Sequence, residues 1–396
     1  MSSLKSKIIG RSINIGILII STTICLVIFE LFLRFFYGYG YRNKPFEFRK
    51  FYQYDPEIGR VVSSNRQGMY RTAEGDRYYY VKTNSDGFRG KEILDRHNPK
   101  IAILGDSFIF GYGVDQDNIF STILNEFTNG RLINLGISGT STDQMYLLLK
   151  RYITKFTFSD VIVYISPNDF GDLLKKRRYG INSPYLVKTN GTYEFRYPQK
   201  PWTERCFYSE TLDKDICNNL PLKIHIMKFL NKFLITYIFQ HRKLPPKIVH
   251  EQESNEAFLK TFTYDEFKNN FPKQITVSPF ISTVQNSSQN SEKIEIMKWI
   301  LNQFVKLSRE KGFRLHVIYD RLSKDEELYL KSNYCQKHSC LSFRQYQDDF
   351  ISKYPEYKLI CRGNAHWNEI GHRLFAYVIY RNLFEDEVSS VRLRDK

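Results

Sequence analysis

An unbroken apolar run that stops at a turn constrains this chain more than any other feature of it. Ile101-Ala102-Ile103-Leu104 is followed at once by Gly105-Asp106-Ser107-Phe108. A short run without polar alternation reads as a strand buried on both faces, the habit of parallel sheets covered by helices. Ser107 then falls at the carboxyl end of that strand, near the start of the next helix. Ligands of open α/β sheets lie there, and helix amides favour developing negative charge. A serine in such a turn also fits a plain helix cap, so these four residues alone do not separate the two readings.

Three further segments repeat the pattern in chain order. A helical stretch, Ile119 to Phe127, leads to Ile133-Asn134-Leu135-Gly136-Ile137-Ser138-Gly139-Thr140, another apolar strand breaking into a glycine-containing loop. Asp160-Val161-Ile162-Val163-Tyr164-Ile165 comes next and ends on Ser166-Pro167-Asn168-Asp169. Near the C-terminus, Asn364-Ala365-His366-Trp367-Asn368-Glu369-Ile370-Gly371-His372 runs into a helix. Serine, glycine, asparagine and histidine are thus supplied in turn by three strand ends and one late loop. Gly136 and Gly139 also suit ordinary loops, Asn168 suits a turn, and His372 suits helix packing or capping. Trp367 reads as a cover over the histidine loop. The conjunction carries the inference.

This order and spacing resemble the SGNH (GDSL-like) hydrolase superfamily, from about Asn84 to Phe384. The resemblance implies a three-layer αβα, flavodoxin-like fold around a parallel sheet. At the matching positions it implies Ser107 as nucleophile, Gly139 and Asn168 as oxyanion-hole partners beside the Ser107 amide, and His366 as general base. Asn84-Ser85-Asp86-Gly87-Phe88-Arg89-Gly90, Asp143-Gln144 and the His-Trp-Asn-x-x-Gly-His ending are similar to the membrane-anchored bacterial branch. Two positions depart from the family pattern. Where the family carries an aspartate shortly before the histidine, this chain has Gly363 and Asn364. Asn364 is therefore the candidate to orient the imidazole, without the charge that stabilises imidazolium. Ser166 stands in place of a usual glycine and reads as a minor change.

The chemistry asks for these residue types. A serine hydroxyl attacks poorly until a base in hydrogen-bond reach accepts its proton, and a histidine can take that proton and return it to the leaving group. The tetrahedral oxyanion needs preorganised donors, here the Ser107 and Gly139 amides and the Asn168 side chain, each worth about 3 kcal/mol of barrier.

The N-terminal part sets the expected compartment. Ile13 to Phe29 carries no charged residue, and apolar character continues to Tyr37 with only Glu30 and Arg34 interrupting. About twenty residues span a bilayer, so the run is long enough. Lys5, Lys7 and Arg11 precede it, and the positive-inside rule keeps that short end in the cytoplasm and places the remainder outside. No small-x-small cleavage site follows, so an uncleaved anchor is expected.

Residues 1–38 are thus expected to form the cytoplasmic end and transmembrane anchor, 39–99 a lead-in, and 100–396 a catalytic domain with an insertion over about 171–290. A helix is expected from Glu292 to Lys311, with Ile294, Met297, Ile300, Leu301, Phe304, Val305 and Leu307 on one face, and a strand over Phe313 to Tyr319. An oxidising compartment permits disulfides; Cys206 with Cys217 and Cys335 with Cys340 are the simplest pairs, leaving Cys361 free or competing for Cys340. No Cys/His spacing indicates a metal, and no cofactor is expected.

Formal net charge is +16, from 58 Lys and Arg against 42 Asp and Glu. A solvated basic surface accounts for this, as do anionic lipid headgroups or an acidic glycan; nucleic acid is a poor partner for a chain expected outside the cell. Leu220 to Phe239 fits a helix on the membrane or a core helix. The expected function is hydrolysis of acyl, in particular acetyl, esters of a small molecule or glycan. An envelope polysaccharide acetyltransferase uses the same acyl-enzyme, and a noncatalytic binding protein is the third class.

Overall fold

The computed structural model describes residues 14–18, 20–29, 51–72, 78–96, 98–179, 181–198, 206–209, 214–217, 255–273, 292–361 and 365–387. The chain falls into two compact units, residues 1–48 with 204–249 and residues 49–203 with 250–396. All candidate site residues belong to the second.

Two antiparallel hairpins open the second unit, β1 (Tyr52–Asp55) with β2 (Gly59–Val62) and β3 (Gln67–Arg71) with β4 (Tyr78–Lys82). The sheet begins with β5 (Lys100–Gly105), β6 (Leu132–Gly136) and β7 (Phe158–Ile165). Two more hairpins follow in the insertion, β8 (Arg177–Arg178) with β9 (Ile181–Asn182) and β10 (Tyr185–Thr189) with β11 (Thr192–Arg196). In the first unit β12 (Cys206–Ser209) pairs antiparallel with β13 (Lys214–Cys217), setting Cys206 and Cys217 opposite each other. Back in the second unit, β14 (Arg314–Tyr319) and β15 (Ser339–Ser342) complete the sheet. The insertion thus holds three hairpins, whose short, mixed-polarity strands do not stand out from loop sequence.

The sheet runs β15-β14-β7-β5-β6, every pair parallel. Counting these strands along the chain gives the order 2-1-3-4-5 of flavodoxin-like doubly wound sheets. Every residue of β5 and β6 is buried, as their continuous apolar runs require. The one-turn helix α1 (Ser107–Phe110) follows β5, and α2 (Phe120–Phe127) packs on β6. Helix α3 (Thr142–Tyr152) packs against β5 and β7. A one-turn helix, α4 (Asp169–Asp172), follows β7, and α5 (Tyr264–Asn270) lies in the insertion. Helix α6 (Glu292–Lys311) covers β14 and α3, burying all seven of its predicted apolar positions. On the other side α7 (Phe343–Lys353) packs on β14, and α8 (Glu369–Ile379) on α2 and α7. Helices on both faces make the expected three layers.

Cys335 and Cys340 are joined by a disulfide. Cys361 is buried, and its thiol contacts the Trp367 carbonyl at 3.5 Å. Among the described residues no helix is long and apolar enough to cross a membrane. Of the expected span, residues 14–18 and 20–29 are described and helical, while Ile13, Ile19 and the stretch from Glu30 to Tyr37 lie outside the described residues. The segment Leu220 to Phe239 lies wholly outside them.

Candidate active site

Ser107 sits where the chain leaves β5 for α1, at the point where the sheet order reverses. Asp106 caps the turn: its Oδ1 accepts from the Phe108 N–H at 3.0 Å and its carbonyl from Phe110 at 2.9 Å. Gly111, at φ +82°, ends α1 after four residues. A side chain at Gly136 would run into the Phe110 and Ile109 backbone, so glycine there lets the turn lie flat on the end of β6.

Arg89 holds the far end of that turn. Its buried guanidinium donates to the carbonyls of Phe110 (3.0 Å), Gly111 (2.6 Å), Val114 (2.6 Å) and Tyr80 (3.0 Å), and its Nε to Gln116 Oε1 (3.1 Å). The preceding Asn84 closes the turn that delivers Arg89, accepting from Asp86 N and Phe88 N and donating to Lys91 O. This is the physical content of the Asn84 to Gly90 motif.

Gly139 follows β6 at φ +75°, and a Cβ there would lie 2.6 Å from Arg60 Nη1 and 2.7 Å from Tyr179 Cδ2. Only glycine fits. Arg60 donates to the Ser138 carbonyl and so fixes the loop from behind. Among the described residues the Ser107 and Gly139 N–H groups donate to no acceptor. Beneath the loop, Asp143 and Arg178 form a fully buried bidentate pair at 2.7 Å through both oxygens. Arg178 also donates to Gln144 Oε1 and Asp172 O, and Gln144 to Ile58 O. Asp143-Gln144 thereby ties the insertion, α3 and the first hairpin together.

His366 Nε2 lies 2.7 Å from Ser107 Oγ, across 259 residues of sequence. Its ring packs on Tyr112 (centroids 4.6 Å apart) and Phe108 (5.0 Å). Burial, aided by the positive charge of Arg321, pushes its pKa down to about 4, so the imidazole is neutral and able to accept a proton at physiological pH. Trp367 does not cover the loop. It is fully buried against Phe108, Tyr164, Phe343 and Phe375, anchoring the loop from below because its large apolar ring gains most in the core. His372, also buried, accepts from Phe120 N at 3.4 Å and stacks on the Phe120 ring, at the start of α2 and away from Ser107. Asn364 lies outside the described residues.

Asn168 Oδ1 accepts from Ser166 Oγ (3.0 Å), and its Nδ2 donates to Asp172 Oδ2 at 2.9 Å, committing one amide hydrogen there. Ser166 is no minor change. Its hydroxyl lies 2.8 Å from Asp106 Oδ2 and 3.0 Å from Asp169 Oδ2, linking the nucleophile turn to the Asn168 loop. Burial pushes Asp106 up to about 6, and burial reinforced by the Asp106 charge raises Asp169 well above the usual carboxylate range. The sequence offered a signal for this hub: a polar residue closing an all-apolar strand is buried with it and must find partners. Arg321, next to His366, carried no sequence signal beyond following a strand.

Compared with known proteins, the chain matches no family model and no curated protein. Among solved structures it is similar to a lipolytic protein of the G-D-S-L family from Desulfitobacterium hafniense DCB-2, with 10% identity, 72% of this chain and 99% of the other covered, and a TM-score of 0.34. A gut microbial diltiazem-metabolizing enzyme aligns at 15% identity over 73% of this chain and 48% of its own, TM-score 0.25. An alpha/beta hydrolase from the metagenome of Lake Arreo, Spain, aligns at 13% identity over 73% and 96%, TM-score 0.23.

Proposed function

We propose that the protein is a serine hydrolase of the SGNH kind, acting on acyl esters through a Ser107 acyl-enzyme. The observation that carries this reading is the 2.7 Å approach of His366 Nε2 to Ser107 Oγ at the switch point of the sheet. In the first step His366 takes the Ser107 proton as Oγ attacks the ester carbonyl. The Ser107 and Gly139 amides and the Asn168 side chain are the proposed donors to the oxyanion. Imidazolium then protonates the departing alcohol, and water, activated by the same base, releases the acid. Acylated small molecules or glycans, acetyl esters above all, are the substrate class.

The N-terminal run is read as a single-pass anchor with the catalytic unit outside the cytoplasm, and nucleic acid is not among its partners. In the described part of that run Ser21 and Thr22 turn their hydroxyls onto the Leu18 carbonyl at 3.0 and 2.7 Å, the internal pairing a helix uses away from water. Ile15, Ile17, Leu18, Ile20 and Ile28 are exposed on it.

A fluorophosphonate probe is expected to label the wild-type protein and to spare Ser107→Ala and, largely, His366→Ala. Equal labelling of wild type and Ser107→Ala rejects the nucleophile. A reporter fused after Lys396 is expected to be active outside the cytoplasm, and cytoplasmic activity rejects the anchor.

A further inference from the structure

We propose that Arg321 is an anion-recognising residue of this site, and that the ester it serves carries a carboxylate, gripped by the Arg321 guanidinium beside the scissile bond. The proposal rests on the esterase reading and names its substrate class.

Arg321 follows β14, so it stands at the same carboxyl edge of the sheet as Ser107, Gly139 and Asn168. Its Cζ lies 5.3 Å from the centroid of the Phe108 ring, the ring that also packs on His366 at 5.0 Å. Phe108 is the residue directly after the nucleophile. The Arg321 charge thus lies one ring away from His366, and it is felt there, since after burial it contributes to the depressed pKa of His366.

That charge is poorly matched inside the protein. Among the described residues the sole hydrogen bond of Arg321 runs from Nε to Asp320 Oδ2, at 3.2 Å, while its Nη2 is buried without a partner. A guanidinium presents parallel N–H groups that fit the two oxygens of a carboxylate, and Asp320 meets only one of them, at Nε. Asp320 is itself pushed up by burial despite the neighbouring Arg321. The side chain is about a quarter exposed, at 24%. Arg321 also holds φ +48°, a left-handed conformation that costs a non-glycine residue on the order of 1–3 kcal/mol and persists where the surroundings enforce it. A strained backbone that sets an incompletely hydrogen-bonded arginine against the ring beside the serine-histidine pair suits a ligand clamp.

The chemistry gives such a ligand a second role. Imidazolium forms at His366 during acylation, and the Arg321 charge opposes it. In the orienting position the sequence has Asn364, which carries no negative charge to offset this. A substrate carboxylate on Arg321 cancels the opposing field and supplies that charge, so it raises kcat as well as tightening binding.

The test compares carboxylated esters with neutral partners at pH 8, where His366 is unprotonated with or without Arg321. One pair varies the alcohol side, 4-acetoxybenzoate against 4-acetoxybenzamide. The other varies the acyl side, the mono-4-nitrophenyl ester of adipate against its methyl ester. With the full-length protein, one pair is expected to show at least about a tenfold preference in kcat/KM for the carboxylated member, the size of one hydrogen bond to a charged group. Arg321→Gln is expected to abolish the preference, and Arg321→Lys to retain part of it. A preference unchanged in Arg321→Gln, or absent in both pairs, overturns the subsite while leaving the esterase intact. If no ester is cleaved in a Ser107-dependent way, the esterase reading fails first. Calorimetric binding of 4-hydroxybenzoate and adipate then decides the subsite alone: at least about tenfold weaker binding of either in Arg321→Gln supports it, and equal or absent binding rejects it.

Discussion

Ser166 Oγ lies 2.8 Å from Asp106 Oδ2, joining the end of one sheet strand to the residue that caps the nucleophile turn on its neighbour. The same hydroxyl reaches Asp169 Oδ2 at 3.0 Å. One hydroxyl hydrogen cannot serve both carboxylates and the Asn168 Oδ1 that also lies 3.0 Å from Ser166 Oγ. A proton held by the Asp106 and Asp169 pair completes the bridge, in keeping with the raised pKa of both groups.

Stability should record that proton. Burial raises Asp106 from 3.8 to about 6, so its contribution is complete below the unfolded value and is lost as pH rises through the folded one. Asp106→Asn still caps the turn and has no such loss. Relative to wild type it is expected to gain between pH 4.5 and pH 8, by up to about 2 kcal/mol for a shift of some two pKa units of which part is already spent at pH 4.5, measured by urea denaturation. A difference identical at both pH values would mean that Asp106 ionises in the fold as freely as in water.

The base predicts an unusual pH profile. An ordinary histidine would cut off kcat/KM below about 6.5. With His366 depressed to about 4, hydrolysis of a neutral ester is expected to persist through pH 5.5, and Arg321→Gln, which removes one depressing charge, is expected to move the acid limb upward. An acid limb at 6.5 in both proteins would show that His366 is not held neutral by its surroundings.

Arg89 should matter for both stability and catalysis. Arg89→Ala strands the carbonyls of Phe110, Gly111, Val114 and Tyr80 in a buried site, where each unsatisfied group costs roughly 1–3 kcal/mol. A loss of at least about 3 kcal/mol in denaturation midpoint experiments is expected, and Arg89→Lys should recover part of it. A loss below about 0.5 kcal/mol would mark the clamp as incidental.

How much of this was written along the chain depends on range. Four strands of the parallel sheet were legible because each carries an apolar run, whereas β15, Ser-Cys-Leu-Ser, was not, and what could be read of Ser107, Gly139, Asn168 and His366 was their place beyond such runs or at a helix start. What was hidden is what distant residues do to one another. Nothing local tells that Asp143 will meet Arg178 from the insertion, that Ser166 will bridge two buried acids, or that Arg321 will share a ring with His366. The short strands of the insertion were hidden for another reason: half-buried hairpins of four or five residues carry too few apolar positions to alternate visibly.

The nucleophile rides on a single helical turn between Gly105 and Gly111. One turn has almost no autonomy, because helix nucleation costs more than four residues return. Ser107 therefore borrows its position from segments far away in the chain: the Arg89 loop, the Gly136 strand end, the Ser166 hub and the His366 loop. A site arranged this way is complete only when the whole unit has folded.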